Sequence, residues 1–457
     1  MGRLFGTDGV RGKAGDYPLD ARTVRRLGGA LARALRHGDE PVRFLAGRDT
    51  RESGAWIERE LAFGIRSQGA ALFSAGVVPT PAVAYLTPRM GYTAGVVISA
   101  SHNPFEDNGI KVFSGAGEKF TETLEQRVEA IVADDSWTIS GATDVVSGSS
   151  RTPDDVEQID YRSAYVGHLL EILPPEFRRT NLRVVIDCAN GATTTVAPRV
   201  FHELGLETQC IGCGPDGRNI NLRCGSTAPE LLAQTVVSGN YDLGIAYDGD
   251  GDRAIFVDAQ GKVVDGDAVM LMCAKQMKAE GRLRGDAIVA TVMSNIGLEI
   301  ALRDAGIGLV RCQVGDKYVM EEMLRRGFVL GGEQSGHVIF SEYLFTGDGL
   351  ATSLNVLRTM AASGRSLADL ASDLTTYPQV LMNLRVHQKV DLATIPGVAA
   401  VIERVESRLA GSGRLLVRYS GTEPLLRVML EGRDQEEIRR LGQEIIDAVK
   451  EHVGAAV

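Results

Sequence analysis

The sequence predicts an α/β protein: three successive α/β domains and a smaller α+β domain at the C-terminal end. Three observations carry this. Helix-like and strand-like segments alternate from the N-terminus to about residue 376, the pattern of layered α/β units. The length, 457 residues, accommodates three or four domains of roughly 100–200 residues each. Beyond Pro378 the pattern changes to strand, helix, two successive strands and a helix.

The first domain is expected at 1–155. Asp20 is placed to N-cap an amphipathic helix running to Arg36, with Val24, Leu27, Leu31 and Leu35 on one face. A strand at 42–46 ends in the charged loop GRDTR, 47–51, and helix 54–68, strand 70–74, helix 81–88 and strand 94–99 follow. The stretch 133–158 is rich in Ser, Thr, Asp and Gly and reads as a linker. The second domain, 156–256, reads as helix 159–172, strand 183–187, helix 191–204, strand 207–211, helix 228–238 and strand 243–247. The third, 257–376, reads as helix 266–280, strand 287–292, helix 296–305, strand 308–312, helix 316–325 and strand 327–330. The last, 377–457, reads as strand 379–386, helix 396–410, strands 414–419 and 425–430, and helix 434–452. The three α/β units repeat a pattern, not a sequence.

Composition narrows the function. Hydrophobic residues at 44% and charged residues at 24% suit a soluble globular chain. No stretch approaches the ~18–20 apolar residues of a membrane-spanning helix, and MGRLFGTDGVRG has no apolar signal core. A cytoplasmic protein without membrane partners is expected. The net charge of −10 argues against nonspecific nucleic-acid binding, and an anionic ligand would need Arg and Lys concentrated around it. Of six cysteines only Cys210 and Cys213 show C-x-x-C spacing, and no second pair completes a zinc site, so reduced thiols are expected.

In open α/β sheets ligands gather at the carboxyl ends of strands. Four polar loops stand at such ends. SASHNP, 99–104, follows strand 94–99. It is either a Ser/Asn/Pro turn or a nucleophilic hydroxyl, Ser101, beside an acid–base group, His102, with Lys111 nearby. YDGDGDRA, 247–254, brings Asp248, Asp250 and Asp252 together between glycines. Three such carboxylates repel unless a cation joins them, and oxygen ligands imply Mg²⁺ or Ca²⁺; a solvated Asx turn is the alternative. An EF-hand is excluded, because its obligatory Gly and Glu positions hold Arg253 and Ala259. Arg253 beside the acids suggests an anionic partner. GGEQSGH, 331–337, offers Glu333, Gln334, Ser335 and His337, groups that read sugar hydroxyls, or else a Gly-rich hairpin. RYSGTEPLLR, 418–427, combines Arg418, Ser420, Gly421, Thr422 and Arg427, which suits a phosphate, or forms a plain hairpin.

Four loops in this order resemble those of the α-D-phosphohexomutase superfamily over essentially the full length. LFGTDGVRG at 4–12, GRNIN at 217–221, CGST at 224–227, VGDKYV at 314–319 and Gln334 are similar to its bacterial hexosamine-phosphate branch. The resemblance implies mixed sheets in the three α/β domains and a central cleft. It implies interconversion of glucosamine 6-phosphate and glucosamine 1-phosphate, toward UDP-N-acetylglucosamine and cell-wall precursors. Ser101 would carry the phosphoryl group as phosphoserine. One Mg²⁺ would sit on Asp248, Asp250, Asp252 and a phosphoserine oxygen. Lys111 is the first candidate for proton transfer, with His102, Arg11 and His337 as assistants. Glu333, Ser335 and His337 would bind the sugar; Arg418, Ser420, Gly421, Thr422, Arg427 and Arg253 would bind phosphate. Glucosamine 1,6-bisphosphate or glucose 1,6-bisphosphate would act as activator, and a homodimer is left open. Rival readings are a glucose- or mannose-phosphate mutase, a metal-dependent sugar phosphatase and a non-catalytic sugar-phosphate sensor.

Overall fold

A computed structural model describes residues 4–6, 8–139, 156–174, 177, 181–420 and 425–453. The chain forms two compact units, Met1–Met293 with Ile307–Asp373, and Ser294–Gly306 with Leu374–Val457.

The first unit holds three mixed sheets. The six-stranded sheet runs in the order Val10–Lys13, Asp107–Ser114, Ala94–Ile98, Arg43–Arg48, Ala71–Val77 and Glu157–Gln158. Its first two strands run antiparallel to their neighbours, and the others pair in parallel. Ala94–Ile98 is buried along its whole length, as expected for a central strand covered on both faces. Asp20 caps the helix Ala21–Ala34 by accepting the Thr23 N–H, and Val24, Leu27 and Leu31 pack against Phe44, Val96 and Ile110. The second sheet orders Val263–Val264, Ala254–Asp258, Leu243–Tyr247, Arg183–Asp187 and Glu207–Ile211. The third orders Gly308–Cys312, Ala287–Thr291, Leu330–Gly332 and Val338–Phe340.

The second unit is a three-stranded antiparallel sheet, with Leu425–Glu431 between Gln379–Arg385 and Arg414–Tyr419. Helices Pro396–Leu409 and Gln435–Val453 bury Val398, Val405, Leu441 and Ile445 against it.

Several elements differ from expectation. The helix expected at 191–204 is a 3-10 turn, Ala192–Thr195, followed by Ala197–Glu203; Pro198 sits at the start of the second piece, where its missing N–H is harmless. The strand expected at 327–330 lies at Leu330–Gly332 because Gly327, with φ +71°, ends the preceding helix. The linker expected at 133–158 closes with a short strand, Glu157–Gln158, paired to Phe73–Ser74; residues 140–155 lie outside the described residues. Strands Val10–Lys13, Asp107–Ser114 and Ala254–Asp258 and helices Glu122–Ala133 and Gly349–Ser363 were not expected.

Candidate active site

Ser101 follows the strand Ala94–Ile98 with φ +53°, a left-handed conformation that a non-glycine residue adopts only when its surroundings impose it. Its N–H donates to Ser99 Oγ at 2.9 Å. The larger constraint is Arg51, whose buried guanidinium donates to the carbonyls of Ser101 at 2.9 Å, Asn103 at 2.8 Å and Asp107 at 3.0 Å, and also to that of Pro104. Arg51 Nε is paired with Asp49 Oδ2 at 2.9 Å, and Asp49 also accepts the Ser99 hydroxyl at 2.6 Å. Asn221 Nδ2 adds a further bond to Ser101 O at 2.9 Å. The serine loop is therefore held by its carbonyls, which leaves the hydroxyl free to point elsewhere.

That hydroxyl donates to Asp248 Oδ2 at 2.5 Å. Asp248 follows the buried strand Leu243–Tyr247, and its loop meets the serine loop so closely that a Cβ on Gly249 would fall 2.5 Å from Ser101 O. Asp248, Asp250 and Asp252 are all buried and offer oxygens that lie within 4.8 Å of one another. Thr80 Oγ1 donates to Asp250 Oδ2 at 2.6 Å. Lys111 comes from Asp107–Ser114, antiparallel to the serine strand with Val97 opposite it. Its Nζ lies 2.9 Å from Asp250 Oδ2, 3.2 Å from Asp252 Oδ2 and 3.2 Å from Asp8 Oδ2.

The charges explain the protonation states. Burial pushes the Lys111 ammonium down, but Asp250, Asp252 and Asp8 together outweigh it and hold it well above the ordinary lysine value. Burial, reinforced by Asp252 and Asp250, pushes the Asp248 carboxyl well up. Burial and then the Arg253 and Arg11 cations push His102 down, so its ring is neutral. His102 Nδ1 faces Arg253 Nη1 at 3.1 Å and Ser101 Oγ at 3.4 Å; because arginine can only donate, Nδ1 is the acceptor.

A hard cation fits this set. The donors are all oxygen; among the described residues Asp250 Oδ1 is buried without a hydrogen-bond partner, and so is Asp252 Oδ1, with His337 Nδ1 at 3.7 Å and Arg253 Nε at 3.8 Å.

Beside the carboxylates opens a cavity of about 580 Å³ whose wall includes Asp8, Arg11, Arg253, Gly315, Asp316 and Glu333. That volume suits a small polar ligand. Of the three expected sugar-binding residues, Glu333 lines it and accepts the Gly315 N–H at 3.1 Å. Ser335 is exposed on the same turn. His337 is buried: its Nε2 accepts the Gly347 N–H at 3.0 Å, which leaves the ring proton on Nδ1, facing Asp252. It backs the metal loop and is absent from the cavity wall.

In the second unit Arg418 and Arg427 are register partners on adjacent antiparallel strands, and Ser420 N–H closes the turn on Leu425 O at 2.7 Å. Among the described residues neither guanidinium has an ion pair, and Arg427 Nε is buried without a hydrogen-bond partner. Gly421 and Thr422 lie outside the described residues.

Four family descriptions match the chain: phosphoglucomutase/phosphomannomutase alpha/beta/alpha domain I at residues 2–138, domain II at 163–261, domain III at 265–377, and the C-terminal domain at 381–448. The chain belongs to the phosphoglucomutase/phosphomannomutase family. It is 46% identical over 454 residues to a phosphoglucosamine mutase of Syntrophotalea carbinolica, covering 99% of this chain and 98% of that one. It is 48% identical over 452 residues to a phosphoglucosamine mutase of Solibacter usitatus, covering 99% of each. In fold it is similar to a phosphoglucomutase/phosphomannomutase family protein of Burkholderia thailandensis, at a TM-score of 0.78 and 23% identity over 98% of this chain and 97% of that one.

Within this family member, sequence reasoning passed over Arg51, Asp49, Asp8, Thr80 and Asn221. The charged loop GRDTR at a strand end was the available signal for Arg51, but its partners lie some fifty residues away in sequence. Asp8 stands in the stretch LFGTDGVRG, where nothing local shows that it will meet Lys111 and Lys119.

Proposed function

We propose that this chain interconverts glucosamine 6-phosphate and glucosamine 1-phosphate through phosphoserine at Ser101 and a 1,6-bisphosphate. The observation that carries this is the Ser101 hydroxyl, held 2.5 Å from Asp248 at the edge of a buried three-carboxylate cluster. The near full-length similarity to phosphoglucosamine mutases supports the choice of sugar.

The chain's own residues divide the work. Arg51 fixes the serine loop, so that Ser101 presents its oxygen in one orientation. Arg11 and Arg253, on the cavity wall, offer guanidiniums to phosphate oxygens, and Glu333 accepts from sugar hydroxyls. Asp248, Asp250 and Asp252 would hold Mg²⁺, which when bound offsets charge on the transferring phosphoryl group. In the first half-reaction a sugar oxygen bonds to phosphorus as the bond to Ser101 Oγ breaks, and the sugar hydroxyl's proton must leave. Neutral His102 can take a proton, and the Lys111 ammonium can give one. The next half-reaction runs the same steps backward with the other phosphate. Arg418, Ser420, Gly421, Thr422 and Arg427 would grip whichever phosphate is not reacting. Glucosamine 1,6-bisphosphate or glucose 1,6-bisphosphate would restore phosphoserine when the intermediate escapes. A cytoplasmic setting suits the free thiols; among the described residues no helix is long and apolar enough to cross a membrane.

The test is a coupled assay on glucosamine 6-phosphate with added 1,6-bisphosphate and Mg²⁺. Isomer exchange faster than with glucose or mannose phosphates is expected. Net release of inorganic phosphate without exchange would replace the proposal with a phosphatase.

A further inference from the structure

The cysteines of the second sheet take no part in the chemistry above, yet three of them meet at one strand end. Strands Arg183–Asp187 and Glu207–Ile211 run parallel, with Ile186 opposite Cys210 and Asp187 opposite Ile211. Pairing continues past both ends: Cys188 N–H donates to Ile211 O at 3.1 Å and Asn190 N–H to Gly212 O at 2.6 Å. Register partners share a face, as do residues two apart, so Cys188 and Cys210 lie on the same face. Gly212, with φ +58°, then turns the chain back and leaves Cys213 Sγ 3.2 Å from Ile211 O. The register of Ile186 with Cys210 and Asp187 with Ile211, continued by the bonds from Cys188 and Asn190, sets Cys188 beside Gly212 and so next to Cys213. Glu207–Ile211 is the sheet's edge strand, so Cys210 is exposed and Cys213 half-exposed, while Cys188 is buried.

We propose that Cys188 and Cys213 form a reversible disulfide when the protein meets a hydroperoxide. Cys213 is the attacking sulfur, because solvent reaches it while Cys188 is buried, and because it stands next to Cys188 with the thiols of Cys188 and Cys210 able to donate to it. Those S–H donors, Cys188 first, also favour its thiolate. The Cys213 thiolate attacks a peroxide oxygen, the O–O bond breaks, and hydroxide leaves a sulfenic acid. The Cys188 sulfur, giving up its proton, then bonds to Cys213 as the S–O bond breaks and water departs. Two thiols lose two electrons and the peroxide is reduced.

The bond would act on the metal loop. Cys188 opens the segment 188–191, whose Ala189 O accepts the Asn221 N–H at 2.8 Å. Gly191 lies so close to the metal loop that a Cβ there would sit 2.3 Å from Gly249 O, which itself accepts the Ala192 N–H at 2.8 Å. A covalent tie at Cys188 therefore restrains the backbone on which Asp248 and Asp250 are carried.

The test exposes the full-length protein to stoichiometric hydrogen peroxide, blocks the remaining thiols with N-ethylmaleimide and maps peptides without reduction. A Cys188–Cys213 cross-link that dithiothreitol reverses is expected in the wild type and in Cys210→Ser, and none in Cys213→Ser or Cys188→Ala. Mutase turnover should fall on oxidation, return with dithiothreitol, and stay constant in Cys213→Ser. A Cys210–Cys213 link, irreversible sulfonic acid without a link, or the same chemistry in Cys213→Ser overturns the proposal. The mapping does not depend on the mutase reading, so the two can fail separately.

Discussion

Arg51 and the pair Arg418–Arg427 are all arginines at strand ends, but they stand in opposite conditions. Arg51 is buried and commits its guanidinium to Asp49 and four carbonyls of the serine loop. Arg418 and Arg427 face each other across a hairpin with no ion pair among the described residues, an arrangement that costs stability when the charges are alike. The serine loop is thus held by the fold itself, while the carboxylates beside it have Lys111 as a partner and leave Asp250 Oδ1 without one among the described residues. Among the described residues the hairpin keeps two like charges side by side, with Arg427 Nε buried and without a hydrogen-bond partner. On the proposed mechanism, rigidity lies where a phosphoryl group is transferred, and unmet charge lies where a phosphate is caught and released.

Four substitutions would break or sharpen that contrast. The largest effect is expected at the carboxylates. Asp250→Asn should lower kcat by roughly 10²–10³-fold, on the scale of losing one electrostatic stabiliser, and should raise the Mg²⁺ concentration needed for half-maximal rate. Full activity of the wild type in EDTA would remove the metal from the account. Next, Arg51→Lys keeps one charge but loses the fork. It should lower kcat about 10²-fold through misplacement of Ser101, with KM little changed. A rise in KM at constant kcat would mean that Arg51 serves binding instead.

Arg418→Ala is expected to behave in the opposite way. KM for both monophosphates should rise roughly 10- to 100-fold, from the loss of charge-assisted bonds. Thermal stability should hold or improve by a few tenths of a kcal/mol, because a like-charge pair is removed. An unchanged KM would leave the hairpin an ordinary turn. The smallest effect on turnover is expected at Asp348, a buried carboxylate that caps the helix Gly349–Ser363 through Ala351 N–H at 2.9 Å and accepts Tyr165 Oη–H at 2.8 Å. Burial pushes it up to about 6, above its ordinary 3.8. A raised carboxylate favours the fold in its protonated form, so its contribution is present below about pH 4 and lost as pH rises through 6. Asp348→Asn retains a good cap and should flatten that slope in pH-dependent denaturation, with kcat preserved. An unchanged slope would show that Asp348 titrates normally.

The strands that deliver Ser101 and Asp248 were legible because each is an uninterrupted apolar run ending abruptly in polar residues. The C-terminal hairpin was legible from two short apolar-rich segments, Arg414–Tyr419 and Leu425–Glu431, set on either side of the turn residues SGTEP. The strand that carries Lys111, Asp107–Ser114, was not: DNGIKVFS opens with turn residues, and its lysine is buried only because Asp8, Asp250 and Asp252 arrive from elsewhere. Mixed sheets came from the resemblance, since periodicity marks a strand without giving its direction. Arg51 and Asn221 act on the serine loop from distant points in the chain, which no local pattern encodes. Sequence marked His337 as a sugar ligand from its neighbours Glu333 and Ser335. Its burial follows from the turn at Gly336, whose φ is +91°, and that turn sets it apart from the exposed Ser335.

The central claim is that Ser101 carries the phosphoryl group between the two half-reactions. Protein bearing radiolabelled phosphate is mixed with unlabelled glucosamine 6-phosphate and Mg²⁺, and the products of a single turnover are separated. The account predicts label first in the 1,6-bisphosphate and then in glucosamine 1-phosphate, with Ser101 left carrying the unlabelled phosphate of the substrate, and Ser101→Ala unlabelled and slowed by up to ~10⁶ in kcat. Label leaving only as inorganic phosphate, or Ser101→Ala turning over at the wild-type rate, would contradict it.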